Sequence, residues 1–499
     1  AVNHADTRGS LGQHFTSVPN IMKVIEPLFL DDLYKEFERA NGNKVKLNKL
    51  LYRLKNIKIF DPACGSGNFL IIAYKELRRL EMKIFKELGS LALSEISLNQ
   101  FYGIELDDFA HEVAILALWL TKHQMNVEFF REFGRTNPTL PLSEGGNIVC
   151  SNAAKVDWKT VCPFSDKNEV YIIGNPPYLG SRNQSKGQKD DLKNVFDSGY
   201  KSLDYIALWF KLAADYIRTT NACCSFVSTN SITQGEQVAI TWPGILKDDV
   251  EILFAHTSFK WENNAKRNAG VSVVIIGLGR KTSEHKVIFT DGLKNSVANI
   301  NPYLIGSNTI FILSRSKPIS KFPEMSFGNM PADGGELLFS TSEKDEFLKQ
   351  EPSAKPYVKR LISAHEYING KERWCLWLED FDLKLINSFP FIKKRIDSLR
   401  EIRAKSSRPQ LAEIPHLFAQ ITQEKDKDFI LIPRHSSERR EYIPIGFLNS
   451  TDVAHDSCLI ISDPDINLFG ILNSRMHMIW LRIVGGKLET RFRYSKNVV

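Results

Sequence analysis

The sequence predicts an α/β protein whose first part is built on a doubly wound, mostly parallel sheet. Short apolar runs typical of buried strands alternate there with longer runs that have helical spacing. The first run, at 57–60, leads into a turn with glycines at 65 and 67 and then into a helical pattern at 70–88. Strand, glycine turn and helix in this order form the first βα unit of such a sheet.

Length, composition and charge limit the classes of function. A chain of 499 residues, 43% hydrophobic and 25% charged, has the composition of a globular protein of two or three domains. Its apolar runs are shorter than the ~18 residues of a membrane span and its start is polar, so we expect a cytoplasmic protein. The seven cysteines include no C-x-x-C pair, and no metal site is expected. Residues 351–499 contain 24 basic and 19 acidic residues, which favours a polyanionic partner slightly over a merely solvated surface.

The glycine turn is predicted to bind a ligand other than a phosphate. The segment Asp61-Pro-Ala-Cys-Gly-Ser-Gly-Asn-Phe69 lacks the third glycine of the dinucleotide motif, and Asp61 at the strand end suits an ammonium group. A second strand at 101–105 ends in Glu105, which is placed to bind two ribose hydroxyls. Asn152, after a third strand at 148–150, either reads an adenine amino group or is a plain turn residue.

A fourth strand, at 170–173, leads into Asn175-Pro176-Pro177-Tyr178, which we call the lip. Proline fixes its own φ and lacks an N–H, so the backbone continues neither a helix nor a central strand here. The Asn175 oxygen and the Pro176 carbonyl can then accept both hydrogens of an exocyclic NH2 group, while Tyr178 stacks on the ring that carries it. The alternative is a proline-rich turn with a buried tyrosine.

Residues 12–19 lead into a helix predicted at 21–30. Thr16 or Ser17 is expected to cap this helix, and the alternative is that these hydroxyls bind a ligand carboxylate at the helix start.

The rest of the chain is predicted in less detail. We expect a mobile polar loop at 180–193, a helix at 203–217, a strand at 223–228, and closing strands at 250–255 and 271–278. The loop at 258–266 between the closing strands mixes aromatics, amides and cations, which suits contact with a base and a phosphate, or ordinary packing. Pro, Gly, Ser and Asn dominate from 301 to 335, where we place the domain boundary.

Together, the 61–69 segment, Glu105 and the lip resemble the N6-adenine DNA methyltransferases that use S-adenosylmethionine. The motif order resembles their gamma class, in which the target-recognition domain comes last. The similarity extends to the MmeI-like type IIL restriction–modification enzymes through four more segments, at 259–266, 373–378, 436–440 and 476–480.

This resemblance implies a Rossmann-like class I methyltransferase domain with a seven-stranded, mostly parallel sheet at 1–320, and a mixed α+β target-recognition domain at 321–499. It implies transfer of a methyl group from S-adenosylmethionine to N6 of an adenine flipped out of double-stranded DNA. The implied catalytic residues are Asn175, Pro176, Pro177 and Tyr178. The implied cofactor-binding residues are Thr16, Asp61, Ala63, Gly65, Gly67, Asn68, Phe69, Glu105 and Asn152, and those for DNA are Phe259, Trp261, Lys266, Arg439, Glu489 and Arg491. On a strand, Glu489 and Arg491 would project to the same face and suit one C·G base pair, and the alternative is a surface ion pair.

Three departures from the family pattern qualify this expectation. The nuclease domain of these enzymes, with its D…E-x-K site, does not precede the cofactor motif, so a nuclease would be a domain or subunit outside this chain. Glu81-Met82-Lys83 spells E-x-K but is predicted to be a solvated helix face, and no DNA cleavage is expected. Asn152 stands where relatives often have Asp. Relatives also continue past residue 499, so we interpret the chain as a methylation-and-recognition fragment or a standalone methyltransferase.

Two other functions fit parts of the pattern. A protein methyltransferase acting on glutamine uses the same lip on a similar amide nitrogen, and a DNA-specificity protein could carry an inactive methylase domain. The basic C-terminal part disfavours the first, and the intact lip and glycine turn disfavour the second.

Overall fold

The computed structural model describes residues 16–89, 93–135, 145–260, 272–488 and 491–497. The chain divides into two compact units, Ala1–Ile312 and Leu313–Val499. This division falls within the 301–335 region where we placed the domain boundary, and eight residues before residue 320.

The first unit contains a nine-stranded sheet. Its strands are β1 (Ile57–Asp61), β2 (Phe101–Glu105), β3 (Asn147–Cys150), β4 (Glu169–Gly174), β5 (Cys223–Thr229), β6 (Val250–Lys260), β7 (Ser272–Arg280), β8 (Lys286–Thr290) and β9 (Leu293–Val297). The order across the sheet is β3-β2-β1-β4-β5-β7-β6-β8-β9. Strands β1 to β5 are parallel, whereas β7 runs antiparallel to both β5 and β6. The parallel strands therefore end at one edge, which brings together Asp61, Glu105 and the lip.

The predicted mostly parallel α/β architecture is confirmed, but the described residues form a sheet of nine strands rather than seven. Strands β8 and β9 form a hairpin at Asp291-Gly292, where both residues have positive φ, 49° and 81°. This is the conformation that a two-residue type I′ turn requires, and Asp-Gly is among its preferred sequences.

Helices cover both faces of the sheet. They are α1 (Val18–Ile25), α2 (Asp31–Ala40), α3 (Lys44–Lys55), α4 (Asn68–Leu88), α5 (Asp108–Phe133), α6 (Trp158–Val161), α7 (Lys186–Val195), α8 (Ala207–Arg218) and α9 (Gly235–Thr241). A π-helical turn at Glu26–Leu30 joins α1 to α2; it contains Pro27, which cannot donate an i→i−4 hydrogen bond. Ile57 and Ile59 face the core formed with α1 to α5, while Phe60, on the other face, packs against Trp158 and Tyr216.

The predicted mobile loop at 180–193 contains a helix instead, because α7 begins at Lys186. Ser185 Oγ accepts from the Gln188 N–H and the Gln188 side chain accepts from the Ser185 N–H, which is a capping box.

The second unit is a mixed α+β structure, as predicted. Its strands are β10 (Met325–Phe327), β11 (Leu338–Phe339), β12 (Val358–Ile362), β13 (Trp374–Leu376), β14 (Phe429–Pro433), β15 (His435–Ser436), β16 (Gly446–Leu448), β17 (Val453–Ala454), β18 (Cys458–Ser462), β19 (Gly486–Leu488) and β20 (Arg491–Arg493). They form sheets in the orders β10-β18-β14-β16, β11-β13-β12-β17 and β15-β20-β19. The helices are α10 (Thr341–Gln350), α11 (Ala364–Asn369), α12 (Pro390–Ala404), α13 (Ile466–Leu472) and α14 (Arg475–Val484). Across the described parts of both units, no helix is long and apolar enough to cross a membrane.

Candidate active site

The glycine turn after β1 is held against the end of β2. The Cys64 N–H donates to the Ile104 carbonyl at 3.0 Å. Gly103 allows this approach, because a Cβ there would lie 2.9 Å from the Cys64 sulfur. Gly65 and Gly67 have φ of 53° and 83°, in the left-handed region that glycine favours. The sequence places glycine where the turn requires it.

Glu105 is fixed by the turn and by its own strand end. Its Oε2 accepts from the Gly65 N–H at 2.8 Å and its Oε1 from the Asp107 N–H at 3.0 Å. Each carboxylate oxygen has two lone pairs, so both can accept one more hydrogen bond. This free capacity is what two ribose hydroxyls would use.

Asp61 is a buried acid with one hydrogen-bond donor. It is 1% exposed, and its Oδ1 accepts from the Ala63 N–H at 3.0 Å. Burial raises the pKa of Asp61 to about 8, against the lowering effect of the Ala63 N–H, and the nearby Glu105 raises it further. Among the described residues no cation pairs with it. The site therefore offers a carboxyl group that a bound cation would stabilise in its charged form.

The same acid lies against the start of the lip. Gly174 has φ of 158°, and a Cβ there would lie 2.6 Å from Asp61 Oδ1. A larger residue would push β4 away from β1 at the point where the lip begins. Gly174 therefore keeps Asp61 and Asn175 close.

Asn175 has a buried acceptor that nothing in the described chain satisfies. Its Nδ2 donates to Thr16 Oγ1 at 3.3 Å, and its Oδ1 is buried without a partner among the described residues. Tyr178 is 8% exposed; burial raises its pKa, and a hydrogen bond from the Asn175 amide lowers it by less. Pro176 is buried and Pro177 half-buried. The amide is thus held by its nitrogen, and its oxygen is left to bind a donor.

The predicted helix cap at Thr16 or Ser17 is wrong. Ser17 precedes α1, but its side chain makes no capping hydrogen bond. A cap accepts from the second or third helical N–H; Pro19 has none, and the Asn20 N–H donates to the Ser17 carbonyl. Thr16 contacts Asn175 instead, at the candidate active site.

Two residues that the sequence analysis missed hold the lip in place. Asp204 Oδ1 accepts from the Leu179 N–H at 2.9 Å, and Gln184 Nε2 donates to the Leu179 carbonyl at 2.8 Å. Leu179 directly follows Tyr178, so both of its backbone groups are anchored. Asp204 lies just before α8, where an acid has the sequence signature of an ordinary helix cap.

The other predicted cofactor residues have local roles. The Ala63 N–H binds Asp61, Asn68 begins α4, and Phe69 is 4% exposed within the core. Asn152 Oδ1 accepts from the Ala154 N–H at 2.8 Å, the turn that was the alternative. Their contacts with a cofactor stay predictions.

Only some of the predicted DNA-binding residues lie within the described ranges. Phe259 lies on β6, with Lys23 Nζ 4.2 Å from its ring centre. In the second unit, Arg439 and Arg491 are exposed. Trp261, Lys266 and Glu489 lie outside the described residues.

The segment after the lip carries exposed cations. Arg182, Lys186 and Lys193 are exposed, and none forms an ion pair with another described residue. Acids neutralise many other cations of this unit; for example, Arg53 contacts Asp32, Glu36 and Glu169. The exposed acids Asp190 and Asp197 lie in the same segment, so its positive excess is small, although its sign suits a polyanion.

Comparison with known proteins decides the family. Residues 37–290 match the model for the MmeI DNA-methyltransferase domain, and residues 306–499 match the model for the MmeI target recognition domain. The chain belongs to the MmeI family. It is 48% identical over 507 aligned positions to DNA methyltransferase A of Bacillus subtilis, covering 99% of this chain and 58% of that protein. A 39% identical stretch of 141 residues, 26% of this chain and 11% of the relative, matches a type II restriction enzyme and methyltransferase of Methanocaldococcus jannaschii, itself described as putative.

A solved structure of the type IIL restriction–modification enzyme MmeI in complex with DNA has the same fold. It superposes with a TM-score of 0.93 at 42% identity, covering all of this chain and 69% of that one. The predicted resemblance to MmeI-like enzymes is therefore confirmed. The chain spans somewhat more than half of the B. subtilis relative.

The prediction that Glu81 lies on a solvated helix face is wrong. It is 1% exposed, pairs with Arg78 at 3.2 Å, and accepts from Ser94 Oγ and the Glu95 N–H. These hydrogen bonds hold Ser94 and Glu95, which follow α4 in the chain, against that helix. The role of Glu81 is therefore structural. Within the described ranges, no group of three or more His, Cys, Asp or Glu residues is placed to hold a metal.

Proposed function

We propose that this chain is a site-specific DNA methyltransferase that transfers a methyl group from S-adenosylmethionine to N6 of a flipped-out adenine. The observation that carries this proposal is the buried Oδ1 of Asn175, which has no partner among the described residues and lies beside Asp61 at the carboxyl edge of the sheet. A buried acceptor left unpaired costs ~1–3 kcal/mol, so its retention favours a ligand that donates to it.

The residues at this edge fit the proposed cofactor. Asp61 would pair with the ammonium group, Glu105 would accept from the ribose hydroxyls, and the turn at Gly65 and Gly67 would let the ligand lie against the backbone. When bound, S-adenosylmethionine supplies an electrophilic methyl group on a sulfonium.

The lip would prepare the target nitrogen. The N6 lone pair of adenine is delocalised into the ring, which makes this nitrogen a poor nucleophile. Hydrogen bonds from the amino group to Asn175 Oδ1 and the Pro176 carbonyl would draw it toward tetrahedral geometry and localise the lone pair. Thr16 Oγ1 accepts from Asn175 Nδ2 and would hold the amide in the required orientation. Positioning and preorganised dipoles would then supply most of the rate.

Double-stranded DNA is the proposed substrate, and a restriction–modification system the proposed context. The match of residues 306–499 to a target recognition domain supports DNA over a protein glutamine. The exposed Arg182, Lys186 and Lys193 would lie beside the backbone of the flipped nucleotide. Replacing all three by alanine should weaken DNA binding and flatten its dependence on salt, whereas alanines at Lys44, Lys46 and Lys49 on α3 should change neither.

Methyl transfer to DNA tests the proposal. The purified chain, tritiated S-adenosylmethionine and plasmid DNA should give labelled DNA. Asn175→Ala should abolish labelling but bind the cofactor normally in calorimetry, since its side chain faces the base. Wild-type turnover by this variant would refute the assigned chemistry. Label in protein instead of DNA would support the glutamine methyltransferase.

A further inference from the structure

A second asparagine, Asn230, lies beside the lip. It directly follows β5, which is parallel to β4, and Gly174 is in register with Phe226 on these neighbouring strands. Asn175 is thus one residue past this pair on its strand, and Asn230 four residues past it on the other. Both asparagines leave the sheet at its carboxyl edge, where open α/β sheets bind ligands.

One carboxylate ties the two strand ends together. Asp204 Oδ1 accepts from the Leu179 N–H at 2.9 Å, and its Oδ2 accepts from the hydroxyls of Thr229 and Ser231, each at 3.1 Å. Leu179 follows Tyr178, while Thr229 and Ser231 flank Asn230 on either side. Asp204 is also close enough to Tyr178 to raise the pKa of its phenol. The position of Asn230 is therefore fixed relative to the lip.

The Asn230 side chain has a buried donor without a partner. Its Nδ2 is buried and makes no hydrogen bond to any described residue, although its backbone carbonyl accepts from Thr233 Oγ1 at 2.9 Å. The hydroxyls of Thr229 and Ser231 on either side contact Asp204 and each other, and neither accepts from Asn230 Nδ2. This edge of the sheet thus has two buried polar atoms that no described residue pairs with, the acceptor Asn175 Oδ1 in the lip and the donor Asn230 Nδ2 beside it. Buried polar groups are nearly always paired in native proteins, so two at one sheet edge indicate a ligand that pairs with both.

We propose that Asn230 Nδ2 donates a hydrogen bond to a ring nitrogen of the target adenine, N1 or N7, the two acceptors that flank its amino group. This inference rests on the proposed function. Adenine presents a donor, N6–H, next to an acceptor on either side, which complements Asn175 Oδ1 and Asn230 Nδ2. Guanine presents an oxygen acceptor at the position of the amino group, and Asn175 Oδ1 would repel it. Asn230 would then orient the base and contribute to its selection.

Kinetics that combine a single-atom change in the target base with a substitution of Asn230 test this contact. The substrates are duplexes of the mapped recognition sequence with adenine, 1-deazaadenine or 7-deazaadenine at the target position. The wild-type chain should lose about tenfold in kcat/KM on one of the two analogues, the scale of one hydrogen bond. Asn230→Ala should lose about as much on adenine, and then nothing further on that same analogue.

Controls separate this contact from effects on folding. Asn230→Ala should bind S-adenosylmethionine with wild-type affinity in calorimetry, and Asn230→Asp, of the same shape but without the donor, should repeat its kinetics. Asn48→Ala, on the exposed face of α3, should respond to the analogues as wild type does. Equal rates of wild type on all three substrates, or the same analogue penalty in Asn230→Ala as in wild type, would overturn the inference alone. Absence of methylation on the adenine duplex would overturn the proposed function and this inference with it.

Discussion

The raised pKa of Asp61 predicts that cofactor binding depends on pH. At a pKa of about 8, about nine-tenths of this carboxyl is protonated at pH 7 and about 99% at pH 6. If the ammonium of the cofactor pairs with the carboxylate, binding must release the proton. The affinity should therefore rise about ninefold from pH 6 to pH 7. The cofactor's own α-amino group titrates at about 7.7–8.0 and loses its charge above about pH 7. The pH range in which the affinity reports on Asp61 alone therefore ends near pH 7.

Calorimetry at pH 6.0, 6.5 and 7.0, in buffers of different ionisation enthalpy, measures both the affinity and the protons released. Asp61→Asn removes the titrating group, so this variant should bind weakly and without pH dependence. Asp32→Asn, at an exposed acid on α2, should keep the wild-type slope. A flat affinity for the wild-type chain, or the same slope in Asp61→Asn, would refute the assignment of Asp61 to the ammonium group.

The Asp61 carboxyl also makes the stability of the cofactor-free chain depend on pH. Its pKa is raised in the folded state above the ordinary value of 3.8, so the folded chain holds a proton that the unfolded chain has lost. The stabilisation is complete below about pH 4 and is lost as pH rises through about 8. In denaturant unfolding, the free energy of unfolding of the wild-type chain should therefore fall as pH rises. The Asp61→Asn variant should lack this fall.

Four further predictions concern other features of the chain. Glu105→Ala should weaken cofactor binding by ~1.5–3 kcal/mol, the scale of hydrogen bonds to a charged group, and calorimetry showing unchanged affinity would remove it from the site. Glu81→Ala should lower the free energy of unfolding by ~3–5 kcal/mol, because the buried Arg78 would keep only neutral partners, Tyr74 and Asn126, and lose its carboxylate. The chain should not cleave plasmid in magnesium; cleavage lost in Glu81→Ala would contradict its structural role. Exchanging charges with Glu489→Lys and Arg491→Asp should change the preferred base at one position of the methylated sequence, since Glu accepts from cytosine and Arg binds guanine. Unchanged preference would leave these two residues as a surface ion pair, the other interpretation of this sequence.

Much of the sheet could be predicted because buried parallel strands leave a strong apolar signal. The acids and the lip could be found because each stands at the end of such a strand, and the carboxyl ends of parallel strands meet at one edge of a sheet. The hairpin of β8 and β9 was missed although Asp291-Gly292 marks it, since Leu293–Val297 is largely exposed and lacks an apolar run.

Polar residues whose partners are distant in sequence were harder to predict. Glu81 has the spacing of a solvated helix face, but Ser94 and the backbone beyond it enclose the carboxylate. Arg403 lies in a basic stretch of the sequence, Lys393 to Arg408, that is typical of a solvated helix face. It is nevertheless 2% exposed and donates to backbone carbonyls that include those of Pro331 and Leu417. The contact between Thr16 and Asn175 spans 159 residues, and no local pattern could reveal it.

The product of the reaction is the most direct test of the proposed chemistry. DNA from cells that lack other methyltransferases and express this chain should be digested and its nucleosides separated by mass spectrometry. We predict N6-methyladenine in these cells, and none in cells that express Asn175→Ala at the same level. Unmodified adenine in both, or methyl groups on cytosine alone, would contradict the proposal that the lip of this chain methylates adenine N6.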